Sequence, residues 1–237
     1  MRVNPDSNGT ASISNAVTIT PPQAKKRVHN VFLIDASGSM QGSRYNTAIS
    51  GVNELLQSIS ADQFTDNTLT IVEFHDNSVE RRIFMDSKIP TNYIGRGANG
   101  GTPLNQAVGE TCEGVRDARN LKFSKEDKVL VNIFTDGEEN NSHGIYANAS
   151  VLSNFLKELE SDGFTITFQG TKNEVNYAVN VLRMSASNTS VHDNSAASIK
   201  MSFANTVSAR MKYSKSVSND EVVTQNFYTK AVEPDTK

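Results

Sequence analysis

Four short runs in this chain are apolar at most positions: 31–34, 69–74, 129–134 and 164–168. Strands covered on both faces read this way, because neither side meets water. Between and after them, apolar residues recur at the 3.6-residue period of a helix. Ala48, Ile49, Val52, Leu55, Leu56 and Ile59 form one such face, and Leu104, Ala107, Val108, Cys112 and Val115 a second. Val151, Leu152, Phe155, Leu156 and Leu159 give a third, Val175, Ala178, Val179 and Leu182 a fourth, and Ile199, Phe203, Val207 and Met211 a fifth. Alternating strands and helices predict a parallel sheet with helices on both faces. One connection differs. Residues 69–74 and 79–84 are separated only by His75-Asp76-Asn77-Ser78, too short for a crossover helix. That spacing predicts an antiparallel hairpin with its second strand at the sheet edge, where Glu80, Arg81 and Arg82 discourage pairing with other chains. With a short last strand near 190–192, the expected fold is α/β: a doubly wound, mostly parallel six-stranded sheet with one antiparallel edge strand.

The chain has 237 residues, 37 % of them hydrophobic, enough for one domain with a sizeable core. Residues 1–27 are rich in Ser, Thr, Asn and Pro and end on Lys25-Lys26-Arg27, which predicts a flexible arm, with room for one short added strand at 16–20. The domain proper is expected over 28–213, with a tail over 214–237 where the periodicity fades. A net charge of −3 with mixed signs argues against nucleic acid as the main partner. The single Cys112 rules out an intramolecular disulfide and lies on an apolar helix face, where a buried, inert thiol is expected. No basic-then-apolar leader and no run near the ~20 apolar residues of a membrane span is present, so the expected location is cytoplasmic.

Three of the predicted strands or loops lead into oxygen-bearing side chains. Asp35-Ala36-Ser37-Gly38-Ser39 follows the first strand, Gly100-Gly101-Thr102-Pro103 precedes the second helix, and Thr135-Asp136-Gly137 follows the strand beginning at Val129. In an open α/β sheet, ligands gather beyond the carboxyl ends of the strands, at the switch in strand order. If the strands ending in Asp35 and Asp136 are neighbours there, both carboxylates meet in one crevice. Two-residue spacing lets Ser37 and Ser39 face the Asp35 side chain, and Pro103 suits the first turn of the helix behind Thr102. Two carboxylates and three hydroxyls are the donors a hard cation such as Mg²⁺ accepts, with Mn²⁺ or Ca²⁺ as substitutes. Such a set leaves the loaded site near zero charge, ready for one more anionic ligand.

Asp35-Ala36-Ser37-Gly38-Ser39, Thr102 and Thr135-Asp136-Gly137 together resemble the metal-ion-dependent adhesion site of von Willebrand factor type A (VWA) domains, and the resemblance spans 28–211. It implies a Rossmann-like doubly wound sheet. It also implies a non-enzymatic module that binds protein partners, often through an acidic residue that completes the coordination of the metal. Ser37, Ser39 and Thr102 would be direct or nearly direct ligands, and Asp35 and Asp136 would bind directly or through water.

Each piece alone has an ordinary meaning: helix caps for the serines, a turn for Thr-Asp-Gly, a loop for Gly-Gly-Thr-Pro. The combination carries the inference. An alternative is a Mg²⁺-dependent phosphotransferase of the haloacid-dehalogenase type with Asp35 as nucleophile. That chemistry needs a second Asp two residues on, where this chain has Ser37, and a Lys near the phosphate. A third possibility is a VWA scaffold in which the metal only steadies loops. Gly95-Arg96-Gly97-Ala98-Asn99-Gly100 matches a dinucleotide fingerprint by letters but follows no core strand. His29, His75, His143 and His192 lack zinc spacing and read as surface or cap residues, and Glu138 and Glu139 as solvated loop charges.

Overall fold

A computed structural model describes residues 24–76, 78–84, 89–90, 92–122, 124 and 126–228, with the backbone alone for 78–84 and 122. The elements are β1 (Arg27–Asp35), α1 (Ser43–Ser60), β2 (Asp66–His75), β3 (Ser78–Phe84), α2 (Leu104–Lys122), β4 (Lys128–Phe134), α3 (Ala149–Ser161), β5 (Phe164–Gly170), α4 (Lys172–Asn180), β6 (Thr189–Val191) and α5 (Ala196–Ser218). The strands form one sheet in the order β3-β2-β1-β4-β5-β6. β2, β1, β4, β5 and β6 run parallel, while β3 pairs antiparallel to β2.

The apolar runs explain the layering. Successive strand side chains point to opposite faces. Val31 and Leu33 therefore enter a core shared with α2, α3 and α4, whereas Phe32 and Ile34 enter one shared with α1 and α5. Cys112 is buried on the first side. No helix among the described residues is long and apolar enough to cross a membrane.

Two expectations need correction. The tail does not begin at Ser214: α5 runs on to Ser218, and the chain after it folds back under the sheet, burying Val223 and Phe227 beside Val28, Leu130 and Tyr213. Isolated apolar residues in a polar stretch have no period, so this segment gave no pattern to read. His29 and His192 are also interior rather than at the surface. His29 bonds to Thr68 Oγ1 (2.6 Å) and Thr70 Oγ1 (2.9 Å), and burial lowers its pKa to about 4. Residues 1–23, including the strand expected at 16–20, lie outside the described residues, as do 229–237.

Candidate metal centre

The chain leaves β1 towards β2 on one side and towards β4 on the other, so the strand order reverses at the β1/β4 pair. Ile34 stands opposite Phe134 in that pair, which places Asp35 beside Thr135 just past the strand ends. The Thr135 hydroxyl donates to Asp35 Oδ2 at 2.6 Å, and the Ser37 N–H donates to Asp35 Oδ1 at 2.7 Å. Ser37 and Ser39 hydroxyls lie 2.9 Å apart, and Ser39 Oγ donates to Asp136 Oδ1 at 2.6 Å. Asp35, Ser37, Thr102 and Asp136 are buried, while Ser39 is exposed.

Thr102 arrives from a separate loop that is fastened at several points. Asn99 N–H donates to Ala36 O (2.8 Å), Gly38 N–H to Gly100 O (2.8 Å), and Gly101 N–H to Asp76 Oδ1 (2.6 Å). Gly100 has φ +71°, and a Cβ there would collide with the Asp76 carboxylate, so glycine suits this corner on both counts. Further back, Glu73 on β2 accepts hydrogen bonds from Tyr45 OH, Tyr93 OH and the Arg96 N–H, which holds the start of the same loop against the sheet. On the other side, Thr102 N–H donates to Asn140 Oδ1 at 2.8 Å, which ties Thr102 to the loop after Asp136.

The approach of these segments is best measured from Gly137. A Cβ built on it would lie 2.8 Å from Thr102 Oγ1, 3.1 Å from Ser39 Oγ and 3.4 Å from Asp35 Oδ2. One point on the third segment, at Gly137, therefore has side-chain oxygens from the other two around it: Asp35 and Ser39 from the run at the end of β1, and Thr102 from its loop. Ser37 and Asp136 are each one hydrogen bond from Ser39. Among the described residues there is no group of three His, Cys, Asp or Glu suited to a metal. Any cation held at this point would rely on hydroxyl oxygens as well as carboxylates, a set that suits a hard ion.

The electrostatics point the same way. Burial pushes the Asp35 carboxyl up to about 6, even though hydrogen bonds from Ser37 and Thr135 pull it down, and neighbouring Asp136 pushes it further up. Among the described residues no cation pairs with the ionised Asp35, and a bound divalent ion would supply one. His192, stacked on Phe134 at 5.1 Å between ring centroids, has its pKa lowered by burial against the upward pull of Asp136 and Glu174.

Three contributors escaped the sequence reading. Arg44, in the first turn of α1, bonds through Nη1 to Asp136 Oδ2 (3.0 Å) and to the Ser39 carbonyl (2.9 Å). Glu139, expected to be solvated, accepts from the N–H groups of Asn105 (2.6 Å) and Ser142 (2.8 Å) and pins the loop beyond Asp136 to the start of α2. Glu73, inside an apolar run, reads as a strand residue and nothing more. None stands out in the sequence, because a deciding partner of each is distant: Asp136 for Arg44, Asn105 for Glu139 and Tyr45 for Glu73.

Among solved structures, the chain is similar to the ArnB paralog VWA2 from Sulfolobus acidocaldarius at 17% identity and TM-score 0.52, over 77% of this chain and 46% of that one. It is similar to proximal thread matrix protein 1 from the mussel byssus, solved with zinc in its metal-ion-dependent adhesion site motif, at 14% identity and TM-score 0.54, over 79% and 46%. A third similarity is to the SpRpn10 VWA domain, at 12% identity and TM-score 0.53, over 75% and 93%. The chain thus spans less than half the length of the first two proteins, and identities this low speak for the fold alone. No protein of curated function matches it significantly in sequence. The family model for the von Willebrand factor type A domain matches residues 31–208, well over half of the sequence, and the chain belongs to that family.

Proposed function

We propose that Asp35, Ser37, Ser39, Thr102 and Asp136 form a complete metal-ion-dependent adhesion site. In this reading it holds Mg²⁺, or Mn²⁺ or Ca²⁺ in its place, and the chain is a non-enzymatic module that binds a protein partner. The observation that carries the reading is the approach of Thr102 Oγ1, Ser39 Oγ and Asp35 Oδ2 to a single point beside Gly137. VWA domains commonly mediate protein interactions, which fits a site with no activated nucleophile. Mg²⁺ keeps several waters and takes one or two carboxylates, so a hydroxyl-rich set leaves a position for an outside oxygen. The ion supplies Lewis acidity there, and an Asp or Glu of the partner is the ligand that matches it.

Phosphotransfer by Asp35 is disfavoured. Its oxygens already accept from Thr135 and the Ser37 N–H, it is fully buried, and Ser37 stands where the second acid would be needed.

The test is thermal unfolding of the full chain with and without Mg²⁺, alongside Asp136→Ala. At a hundredfold excess over Kd, a bound ion adds about 2.7 kcal/mol to stability, which raises the melting temperature. No rise in the wild type, or the same rise in Asp136→Ala, overturns the reading. Partner capture in chelator then separates adhesion from a purely structural metal: only adhesion loses the partner.

A further inference from the structure

Arg44 is out of place as a helix residue. The first turn of a helix carries the positive end of the backbone dipole, so a cation there is disfavoured. In α1 it is accommodated because Asp136 faces it, with the side chain of Asp136 0% exposed and that of Arg44 41% exposed. Among the described residues, the hydrogen bonds of Arg44 run through Nη1 alone, leaving the N–H groups of Nη2 and Nε for another acceptor. The charges of these groups then add differently from the sequence count. With Asp35 and Asp136 ionised and Arg44 included, the site carries −1 without a metal and +1 with a divalent ion.

We propose that Arg44 is the second cation of this site. Its guanidinium weakens the hold on a divalent ion and, once the ion is bound, selects a carboxylate partner by offering a planar fork beside the metal. The inference rests on the metal reading above and specifies its partner. The receptor binds a carboxylate through two unlike cations, so a partner side chain with one neutral oxygen, such as Asn or Gln, is rejected. Arg suits the role because its N–H groups match the two oxygens of a carboxylate, which a lysine ammonium does not.

The two halves of the proposal have opposite signs, and this makes them testable. A unit positive charge a few ångströms from the ion opposes its binding, so its removal tightens the site by about fivefold to tenfold in a partly hydrated setting. The same removal weakens an incoming carboxylate by several-fold. An arginine that merely braced the Ser39 turn would, on removal, weaken both.

Mn²⁺ binding to the full chain is followed by electron paramagnetic resonance of the free ion. Acetate is then titrated into the Mn²⁺-loaded protein, with loss of metal-bound water read by proton relaxation. Wild type, Arg44→Gln, Arg44→Lys and Asp136→Asn are compared. Arg44→Gln is expected to bind Mn²⁺ more tightly and acetate more weakly. Arg44→Lys is expected to keep the Mn²⁺ affinity of the wild type while losing part of the acetate affinity. Weaker Mn²⁺ binding in Arg44→Gln, or no change in either titration, overturns the role of Arg44 and leaves the metal reading intact. Failure of the wild type to bind Mn²⁺ above the level of Asp136→Asn overturns the metal reading, and this inference with it.

Discussion

Two buried aspartates, at opposite ends of the same sheet, live under opposite electrostatics. Asp62, in the turn between α1 and β2, faces Arg210 of α5 at 3.0 Å, with both side chains within 2% of full burial. Burial alone would raise its carboxyl, but hydrogen bonds from Ser214, Thr65, Asn67 and the Phe64 N–H outweigh that and hold it well below the usual range. Asp35, at the carboxyl end of β1, is as deeply buried, yet its pKa stands at about 6 because burial prevails over its hydrogen bonds. Among the described residues, one of these carboxylates has a cation paired with it and the other has none. On the proposed reading, the first acid is architecture, and the second is the one a bound metal would complete.

The largest effect that tests this contrast comes from Arg210→Ala. It strands the Asp62 carboxylate, and also removes a partner of Asn67 Oδ1 at 2.7 Å, so a loss of about 3–5 kcal/mol is expected in urea unfolding. Arg210→Met combined with Asp62→Leu should recover most of it. A loss below about 1 kcal/mol for the single change would mean that Asp62 is not held by its partner.

The next effect also comes from the amino end of the sheet. His29 has an ordinary pKa of 6.5 in the unfolded chain and about 4 in the fold, because burial disfavours its charged form. Above pH 6.5 both states are neutral and its contribution is complete. As pH falls from 6.5 towards 4, only the unfolded chain takes up the proton, so stability drains away. By pH 4.5 the loss is about 2–3 kcal/mol. His29→Gln should flatten that slope, as read from urea midpoints at pH 7 and 4.5. An identical slope in the variant would assign the acid sensitivity elsewhere.

How much of this was legible beforehand depended on the reach of each interaction. The core strands and the five helices carry their burial in local periodicity, and Asp35, Ser37, Ser39, Thr102 and Asp136 each sit at a strand end or helix start. Asp62 and Arg210 pair across 148 positions, and Arg44 and Asp136 across 92, so neither pair leaves a local trace. An arginine in a first helical turn reads as solvated until its partner is known. Val223 and Phe227 likewise look like stray apolar residues of a tail until the underside of the sheet is seen to need covering.

At the carboxyl end, a smaller effect of opposite sign is expected. The raised pKa of Asp35 means that its contribution is complete below pH 3.8 and is lost as pH rises through about 6, so at pH 7 the ionised carboxylate costs the metal-free fold some stability. Asp35→Asn should therefore stabilise the metal-free chain at pH 7 by about 1–2 kcal/mol, while abolishing the gain on adding Mg²⁺. With saturating Mg²⁺ the order reverses and the wild type becomes the more stable. Destabilisation of the metal-free chain by Asp35→Asn would place Asp35 in the same class as Asp62, and the contrast between the two ends would fail.

The smallest change in folding, and the sharpest local test, is Gly137→Ala. Gly137 is not among the positive-φ residues, so the added methyl brings no backbone strain of its own. Its Cβ would stand 2.8 Å from Thr102 Oγ1 and 3.1 Å from Ser39 Oγ, contacts that two rotatable hydroxyl-bearing side chains can relieve at a cost of about 1 kcal/mol or less. The relief itself does the damage, since each hydroxyl must turn away from the common point and cannot then serve an ion there. Mn²⁺ affinity is expected to fall by about tenfold or more while the metal-free melting temperature barely moves. An unchanged Mn²⁺ affinity would mean that the oxygens meeting beside Gly137 are ordinary packing, no different in kind from the satisfied network around Asp62.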